Sequence, residues 1–271
     1  MGLKLLLKRN LAAIKGVSKS SQEKRASHKG GRSEVTPNDL GKARERSENR
    51  SLIEMEYSSS QTRASTQAID LFWSVRSPFC YLAIARLREL GRRHQINLRP
   101  VLPLALRSPV VHDPKNHVKH QYNYMDAARV ADMLGYPFSR PDPDPLTPDP
   151  ATNEARAIAL TGRCVVAHRF GCGLQYVEAL SNLLFAQSAD WIHDLDQVTI
   201  ACGLNPALFD EYTNEHLSDI SAEIENNQQA LGSSGHWGVP LMVFNGEPFF
   251  GQDRIDLLAW RLDRTLGNTS N

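Results

Sequence analysis

The feature that most constrains the fold is a strand–helix–strand pattern that begins near residue 69. Residues 69–75 (IDLFWSV) form an apolar run of strand length, as expected for a strand that is covered on both faces. Ser77 and Pro78 then stand at the N-cap and at the first position of a helix, where both residue types are favoured. The helix carries one apolar stripe and is predicted to end at Gly91, and residues 96–101 form the next strand. A crossover of this kind is right-handed and makes the two strands parallel.

The C-terminal end of the chain predicts a β-hairpin followed by a helix. Residues 241–244 (LMVF) and 247–250 (EPFF) are β-prone and flank an Asn-Gly dipeptide at 245–246, which is a strong hairpin signal. Pro248 cannot donate a backbone hydrogen bond, so the second strand is predicted to lie at a sheet edge. An amphipathic helix follows and is predicted to end at Gly267.

Helical patterns dominate the residues between these two parts, which makes the fold class α/β. The predicted helices span 117–134, 154–170, 174–187, 195–202 and 205 to about 231. A proline-rich connector at 137–150 cannot be helical. The predicted organisation is a disordered basic arm (1–66), a discontinuous domain (67–105 with 232–267) and an inserted helical domain (106–231).

The charge distribution separates the N-terminal arm from the rest. Residues 1–66 contain 14 Lys and Arg against 7 Asp and Glu, a net charge of +7, whereas the remainder contains 17 against 23, a net charge of −6. The arm has few aromatic residues and no sustained periodicity, so we expect it to be disordered. Its first 33 residues hold Glu23 as their single acid and fit an organelle transit peptide as well as a basic arm. The acidic remainder argues against nucleic-acid binding there.

The cysteines and apolar runs bear on the cellular compartment. Four cysteines occur without a C-x-x-C pair, which favours buried free thiols over a disulfide framework: Cys80, Cys164, Cys172 and Cys202. No apolar run approaches the roughly 20 residues that a membrane-spanning helix needs. We therefore expect a cytoplasmic protein with no membrane contact.

Several short motifs occur in the order of one known enzyme family. Residues 72–82 (FWSVRSPFCYL) are similar to that family's strand followed by S-P-Y-S-Y-L. Residues 238–243 (GVPLMV) and 251–254 (GQDR) are similar to its G-V-P-T-F-V and G-x-D-R motifs. A weaker match is carried by Lys119, Tyr122, Asp126 and Arg129. Over roughly residues 67–267, the chain therefore resembles the 2-hydroxychromene-2-carboxylate isomerases and the kappa-class glutathione transferases.

This resemblance implies a fold, a cofactor and a site. The fold would be a thioredoxin-like α/β domain with an inserted all-helical domain, as in the Dsb-type disulfide oxidoreductases, and relatives are often homodimers. The cofactor would be glutathione, whose sulfur is hydrogen-bonded by Ser77. The Val239-Pro240 peptide bond would be cis and would pair with the cysteinyl part of glutathione. Gln252 and Asp253 would hold its γ-glutamyl end.

The sequence departs from the family at two places. Cys80 stands where the family usually has serine, and the loop from 104 to 114 lacks the usual Lys and Asn pattern. Cys80 belongs to the apolar stripe of its helix, so we predict a buried thiol. The alternative is a one-cysteine redox site that forms a mixed disulfide with glutathione.

A serine at position 77 is chemically sufficient to hold another molecule's thiolate. A free thiol with a pKa of about 8.5 is only about 3% thiolate at pH 7, and lowering that pKa to about 6.5 requires roughly 2.7 kcal/mol of preference for the anion. One hydrogen bond to a charged group supplies about 1.5–3 kcal/mol, and a helix N-terminus adds roughly 0.3–2 kcal/mol. The alternative role of Ser77 is a simple N-cap, worth about 1 kcal/mol to the helix.

Other candidate residues also have structural alternatives. Gln252 and Asp253 fall at a helix start, where they could act only as caps. Phe79 and Trp237 are candidate substrate contacts, whereas other aromatic residues are interpreted as core: Tyr122, Tyr124 and Trp191. The histidines at 112, 117 and 120 are close in sequence, but no cysteine or carboxylate completes a zinc-ligand spacing, so no metal site is predicted.

The function that the resemblance implies is cis/trans isomerisation of an aromatic carboxylate or enone by reversible thiolate addition, in aromatic compound catabolism. One alternative is a kappa-type transferase, in which the glutathione adduct is released as the product instead of undergoing elimination. Another is a thioredoxin-like disulfide oxidoreductase. Ser77 disfavours this alternative, because it stands where such an enzyme would have its attacking cysteine. A third is a non-catalytic thioredoxin-like binding module.

Overall fold

The computed structural model describes residues 68–108, 117–150, 152–187 and 191–268, so the predicted N-terminal arm and His112 lie outside the described residues. The chain begins with β1 (Ile69–Trp73), α1 (Pro78–Leu90), β2 (Ile96–Pro100), α2 (Leu104–Arg107) and α3 (His117–Leu134). It continues with α4 (Arg156–Arg169), α5 (Gly173–Phe185), α6 (Leu195–Ala201), α7 (Pro206–Glu215) and α8 (Leu217–Ser233). It ends with β3 (Leu241–Phe244), β4 (Glu247–Phe250), a 3₁₀ turn (Gln252–Arg254) and α9 (Ile255–Asn268).

The strands within the described ranges form one four-stranded sheet in the order β2-β1-β3-β4. β1 and β2 are parallel, with Ile69 opposite Ile96. β3 runs antiparallel to β1, and β4 runs antiparallel to β3. The predicted strand–helix–strand pattern and the predicted hairpin thus meet in a single sheet, and the prediction of parallel strands is confirmed.

Local sequence explains how β1 leads into α1. Every side chain of β1 except Asp70 is buried, as a strand covered on both faces requires. Ser77 then has extended backbone angles, with φ −89° and ψ 114°, and its side chain accepts a hydrogen bond from the Cys80 N–H, while Pro78 opens the helix. The predicted N-cap is therefore confirmed. Gly91 follows the last helical residue as predicted, although its φ of −64° is an ordinary right-handed value.

The hairpin between β3 and β4 also follows its sequence signal. Asn245 and Gly246 both have positive φ, 50° and 78°, as a type I′ turn requires. β4 lies at the edge of the sheet, where the missing N–H of Pro248 is tolerated. The predicted edge position is confirmed.

One predicted helix is wrong. The segment from Asn205 to about Leu231 forms two helices, α7 and α8, which are separated at His216. The His216 backbone N–H donates to the Tyr212 carbonyl at 3.1 Å, and its Nδ1 lies 2.8 Å from the same oxygen, so the residue closes α7. The buried positions Phe209, Thr213, Leu217, Ile220 and Ile224 stay in helical phase across this break. That continuity explains why the spacing predicted a single helix.

The inserted helices pack on both faces of the sheet. The large core on one face joins alternate residues of β1 to α1, α4 and α5. On the other face, Phe72, Val101 and Leu241 pack with Leu231 of α8. Because successive strand side chains point to opposite faces, the apolar residues of β1 contribute to both layers.

His168, near the end of α4, is expected to make the fold sensitive to acid. Burial, together with the charge of Arg99, lowers the pKa of His168 to about 4 from a usual value of 6.5. Its Nε2 lies 3.1 Å from the Asn97 Oδ1. Between these two pKa values the unfolded chain binds more protons than the folded protein does, so stability falls as the pH falls. We expect a loss of about 3 kcal/mol in the free energy of unfolding between pH 6.5 and pH 4.

Urea unfolding of the wild type and of His168→Gln at about pH 7 and about pH 5 checks this expectation. The variant removes the titrating imidazole but keeps an amide that can bond Asn97. Its free energy of unfolding should therefore change less between the two pH values than that of the wild type. Equal changes in the two proteins would rule out His168 as the cause.

Candidate active site

The Ser77 hydroxyl lies at the junction of α1 and the segment that leads into β3. Its Oγ accepts a hydrogen bond from the Cys80 N–H at 3.3 Å and donates to the Val239 carbonyl at 3.4 Å. Residues 77 and 239 are 162 positions apart in sequence, so only the fold brings them together. The second contact is long for an O–H donor, which leaves the hydroxyl available to a better acceptor.

The segment before β3 has a tightly packed backbone. The Val239-Pro240 peptide bond is cis, and the Pro240 carbonyl accepts a hydrogen bond from the Gly251 N–H at 3.0 Å. A Cβ at Gly238 would lie only 2.5 Å from the Phe250 ring, so glycine is the residue that fits there without a shift of that ring. This packing fixes the Val239 carbonyl opposite Ser77.

Gln252 and Asp253 lie in the 3₁₀ turn after β4. The Gly251–Pro240 hydrogen bond joins this turn to the segment opposite Ser77, and Arg86 of α1 donates to the Gln252 carbonyl at 3.2 Å. The Asp253 side chain is 59% exposed and forms an ion pair with Arg254 at 2.6 Å. The structure therefore connects the turn with both the Pro240 segment and the helix that begins after Ser77.

Cys80 is a buried thiol, as predicted. Its side chain has no exposed surface. Burial raises the pKa of the Cys80 thiol to about 12, against the opposing effect of hydrogen bonds with Ser77 and Ser74. A thiol that is neutral and enclosed cannot act as the attacking group of a redox site.

Arg107 is a cation near the site that the sequence analysis did not identify. Its Nη2 donates to the Trp237 carbonyl at 2.7 Å, and its Nε donates to the Leu102 carbonyl at 3.0 Å. Burial lowers the pKa of Arg107, and the nearby Cys80 side chain opposes that shift. Arg107 ends α2, in the loop that lacks the family's usual pattern, so no motif pointed to it. Its interaction with Cys80 places positive charge beside the start of α1.

The exposures of the aromatic residues confirm one core interpretation and contradict another. Trp191 is a core residue as predicted, 1% exposed, with its indole N–H donating to the Pro143 carbonyl at 2.8 Å. The core interpretation of Tyr122 is wrong, since this side chain is 54% exposed on a solvent-facing position of α3. Trp237 is half-exposed, with the Lys119 ammonium 5.5 Å from its ring centroid. Phe79 is partly buried against the main core.

A cavity of about 500 Å³ adjoins Arg76, the residue immediately before Ser77. It is lined by Arg76, His120, Gln121, Tyr124, Arg140, Pro141, Asp142 and Asp144. Arg76 forms an ion pair with Asp144 at 2.8 Å, and the Arg140 guanidinium lies 4.2 Å from the centroid of the Tyr124 ring. The core interpretation of Tyr124 is therefore incomplete. The sequence analysis did not predict this cavity. Most of its wall is formed by α3 and the proline-rich connector, and their relative placement depends on the fold.

Across the ranges that the structure describes, no group of three or more His, Cys, Asp or Glu side chains could hold a metal ion. In those same ranges, every helix is too short or too polar to cross a membrane.

The chain matches the family of DSBA-like thioredoxin domains over residues 68–263. This match covers most of the chain, and the protein belongs to that family. No curated protein sequence matches the chain.

Solved structures show the same fold. The chain is similar to a 2-hydroxychromene-2-carboxylate isomerase, with a TM-score of 0.56 and 22% identity over 75% of this chain and 98% of that chain. It is similar to a probable DsbA oxidoreductase from Streptomyces coelicolor, with a TM-score of 0.54 and 13% identity over 74% and 90% of the two chains. It is also similar to the cytosolic disulfide reductase DsbM from Pseudomonas aeruginosa with GSH, with a TM-score of 0.51 and 15% identity over 72% and 99%. The predicted thioredoxin-like α/β fold is confirmed.

Proposed function

We propose that this protein is a glutathione-dependent isomerase of the 2-hydroxychromene-2-carboxylate type, which acts on an aromatic carboxylate or enone. The observation that carries the proposal is the position of the Ser77 hydroxyl, at the start of α1 and 3.4 Å from the Val239 carbonyl. This position combines a hydrogen-bond donor, a helix N-terminus and a backbone segment in one place. A thiol peptide bound there would have its sulfur beside the hydroxyl.

The charges around Ser77 fit a bound thiolate. α1 has no acidic residue in its first turn, and its N-terminal N–H groups carry the positive end of the helix dipole. Arg107 adds a positive charge that interacts with Cys80, the residue whose N–H bonds Ser77. The exposed carboxylate of Asp253 suits the ammonium of a γ-glutamyl group. These residues together fit glutathione.

In the proposed reaction, the residues around Ser77 would stabilise the negative charge of the glutathione sulfur. Bound glutathione would supply a thiolate that adds reversibly to a conjugated double bond, so that rotation becomes free before elimination restores the double bond in the other geometry. The Ser77 hydroxyl would donate to the sulfur and favour its deprotonated form. The dipole of α1 and the charge of Arg107 would stabilise the same negative charge.

The cavity next to Arg76 supports an aromatic acid as the substrate. Its volume of about 500 Å³ lies within the usual range for small-molecule sites. Arg140 offers a guanidinium group, which binds carboxylates through paired hydrogen bonds, whereas the Nε and Nη2 of Arg76 already donate to Asp144. Tyr124 adds an aromatic surface at the same wall. A flat, negatively charged compound would have Arg140 and Tyr124 as its partners, on a lining that also contains the carboxylates of Asp142 and Asp144.

An isomerisation assay tests the proposal against its alternatives. The wild type is incubated with 2-hydroxychromene-2-carboxylate alone, with glutathione, and with S-methylglutathione, which lacks a free thiol. We expect isomerisation only with glutathione, and we expect the glutathione concentration to stay constant. Accumulation of a stable conjugate would instead support a kappa-type transferase. If the protein failed to bind glutathione at millimolar concentration, the non-catalytic thioredoxin-like binding module would be the one remaining alternative.

A change at Asp253 tests the predicted contact with the γ-glutamyl end. Asp253→Asn removes the negative charge while keeping the shape, so the KM for glutathione should rise about 2- to 5-fold, the effect of one exposed charge pair. The value of kcat at saturating glutathione should stay unchanged, because the contact is remote from the sulfur. Asp263→Asn, an exposed change on α9 away from the turn, is the matched control and should leave KM unaltered. An unchanged KM in Asp253→Asn would remove this residue from the site.

A further inference from the structure

His236 is a partly buried histidine in the segment between α8 and β3, three residues before Val239. Its Nδ1 accepts a hydrogen bond from the Gly238 N–H at 2.9 Å. Asparagine and aspartate side chains commonly close a turn in this way, by bonding the backbone two residues further on. Here a histidine side chain closes the turn that leads into the cis peptide bond.

The hydrogen bond defines what each partner requires. A backbone N–H can donate only to a ring nitrogen that carries no proton, so the His236 Nδ1 is the acceptor nitrogen of the ring. Gly238 is buried, and a buried backbone N–H needs a partner within the protein. The His236 side chain supplies that partner.

The His236 ring is held in place by an aromatic neighbour. It stacks on the Phe250 ring of β4, with the centroids 3.8 Å apart and the planes inclined by 25°. Gly238 lies against both rings, since a Cβ there would lie 2.5 Å from the Phe250 ring and 2.9 Å from the His236 Cε1. A movement of the imidazole away from the Gly238 N–H would therefore also disturb its stacking on the sheet.

Two hydrogen bonds hold the backbone on either side of Val239. Before it, the His236 side chain closes the turn; after it, the Pro240 carbonyl accepts from the Gly251 N–H at 3.0 Å. The Val239 carbonyl lies between these two contacts and 3.4 Å from the Ser77 Oγ. The second contact joins two backbone groups, whereas the first is made by a side chain. A single substitution can therefore remove the first contact.

We propose that His236 is a positioning residue of the glutathione site. Its Nδ1 holds the Gly238 N–H, and thereby keeps the Val239 backbone in the orientation that pairs with the cysteinyl part of the tripeptide. This role depends on the proposed function, in which that pairing places the thiol beside Ser77. In this role, His236 does not touch the reacting atoms and acts on how tightly glutathione binds.

Two substitutions separate the hydrogen bond of His236 from its ring stacking. His236→Asn removes the ring but keeps a side-chain oxygen that can accept from the Gly238 N–H in the same kind of turn. His236→Phe keeps a ring that can stack on Phe250 but has no acceptor. Calorimetric titration of each full-length protein with glutathione measures the dissociation constant without any turnover. It should rise about 3- to 10-fold in His236→Phe, the effect of one hydrogen bond, and stay within about 2-fold of wild type in His236→Asn.

A second measurement follows the Gly238 N–H in the absence of glutathione. Amide hydrogen exchange, measured by NMR, should be faster at Gly238 in His236→Phe than in the wild type. It should be close to the wild-type rate in His236→Asn, where the acceptor is restored. The unfolding midpoints are measured in parallel, because a general loss of stability would also speed the exchange of amides far from this turn.

The outcomes distinguish this role of His236 from the proposed function. A wild type that bound no glutathione would overturn both. If the wild type bound glutathione and His236→Phe bound it equally well, the positioning role alone would be wrong. It would also be wrong if folded His236→Asn lost as much affinity as His236→Phe, since the ring and not its Nδ1 would then be what the site needs.

Discussion

Replacing Ser77 by alanine should lower kcat/KM for the glutathione-dependent isomerisation by roughly 10- to 100-fold. The variant removes the hydroxyl that would donate to the glutathione sulfur, and a hydrogen bond to a charged group is worth about 1.5–3 kcal/mol. The loss of the N-cap contact to the Cys80 N–H should also cost about 1 kcal/mol of stability. Steady-state kinetics at several glutathione concentrations, with the unfolding midpoint measured in parallel, separates the two effects.

Cys80→Ser is the matched control for this experiment. It changes a side chain of similar size three residues away, in a position with no exposed surface. We expect it to retain most of the activity, since a buried thiol with a raised pKa has no part in the reaction. If Cys80→Ser lost activity and Ser77→Ala kept it, the assignment of Ser77 would be wrong.

Replacing Arg163 by methionine should destabilise the protein by about 3–5 kcal/mol. Arg163 is 1% exposed, and it donates to the Tyr176 hydroxyl and the Thr199 hydroxyl, both at 2.9 Å, and to Asp210. Methionine fills a similar volume but leaves these three partners without their donor. Because they belong to α5, α6 and α7, the loss should affect the packing of the whole helical block. Urea unfolding of the purified variant measures the change.

Arg261→Met is the matched control for the Arg163 prediction. Arg261 pairs with Glu247 at 2.7 Å, but their side chains are 44% and 45% exposed. Exposed pairs contribute little, so this variant should lose less than about 1 kcal/mol. Equal losses in the two variants would show that burial of the Arg163 network is not what makes it stabilising.

The elements with strong local signals could be predicted from the sequence. A few consecutive residues are enough to specify each of these elements: the apolar run of β1, the Ser-Pro start of α1 and the Asn-Gly turn. The break at His216 could not be predicted, because the buried positions remain in helical phase on both sides of it. The residue that ends α7 does so through a side-chain contact that periodicity does not describe.

The site could be predicted only where a motif marked its residues. Ser77 and Val239 were identified because both lie in motifs of the family that the sequence resembles, although they are 162 residues apart. Arg107 was missed because its position depends on where α2 packs, in a loop without the family's pattern. Arg140 was missed because its contact with the cavity depends on how the connector folds, and no motif marks it within that proline-rich segment.

Titration of the bound glutathione thiol tests the central claim most directly. The ultraviolet absorbance of the thiolate is followed against pH for glutathione bound to the wild type and to Ser77→Ala. The pKa of the bound thiol should lie about 1 to 2 units below its free value of about 8.5 in the wild type, and it should return most of the way in the variant. Equal pKa values in the two proteins would contradict the proposed role of the Ser77 hydroxyl.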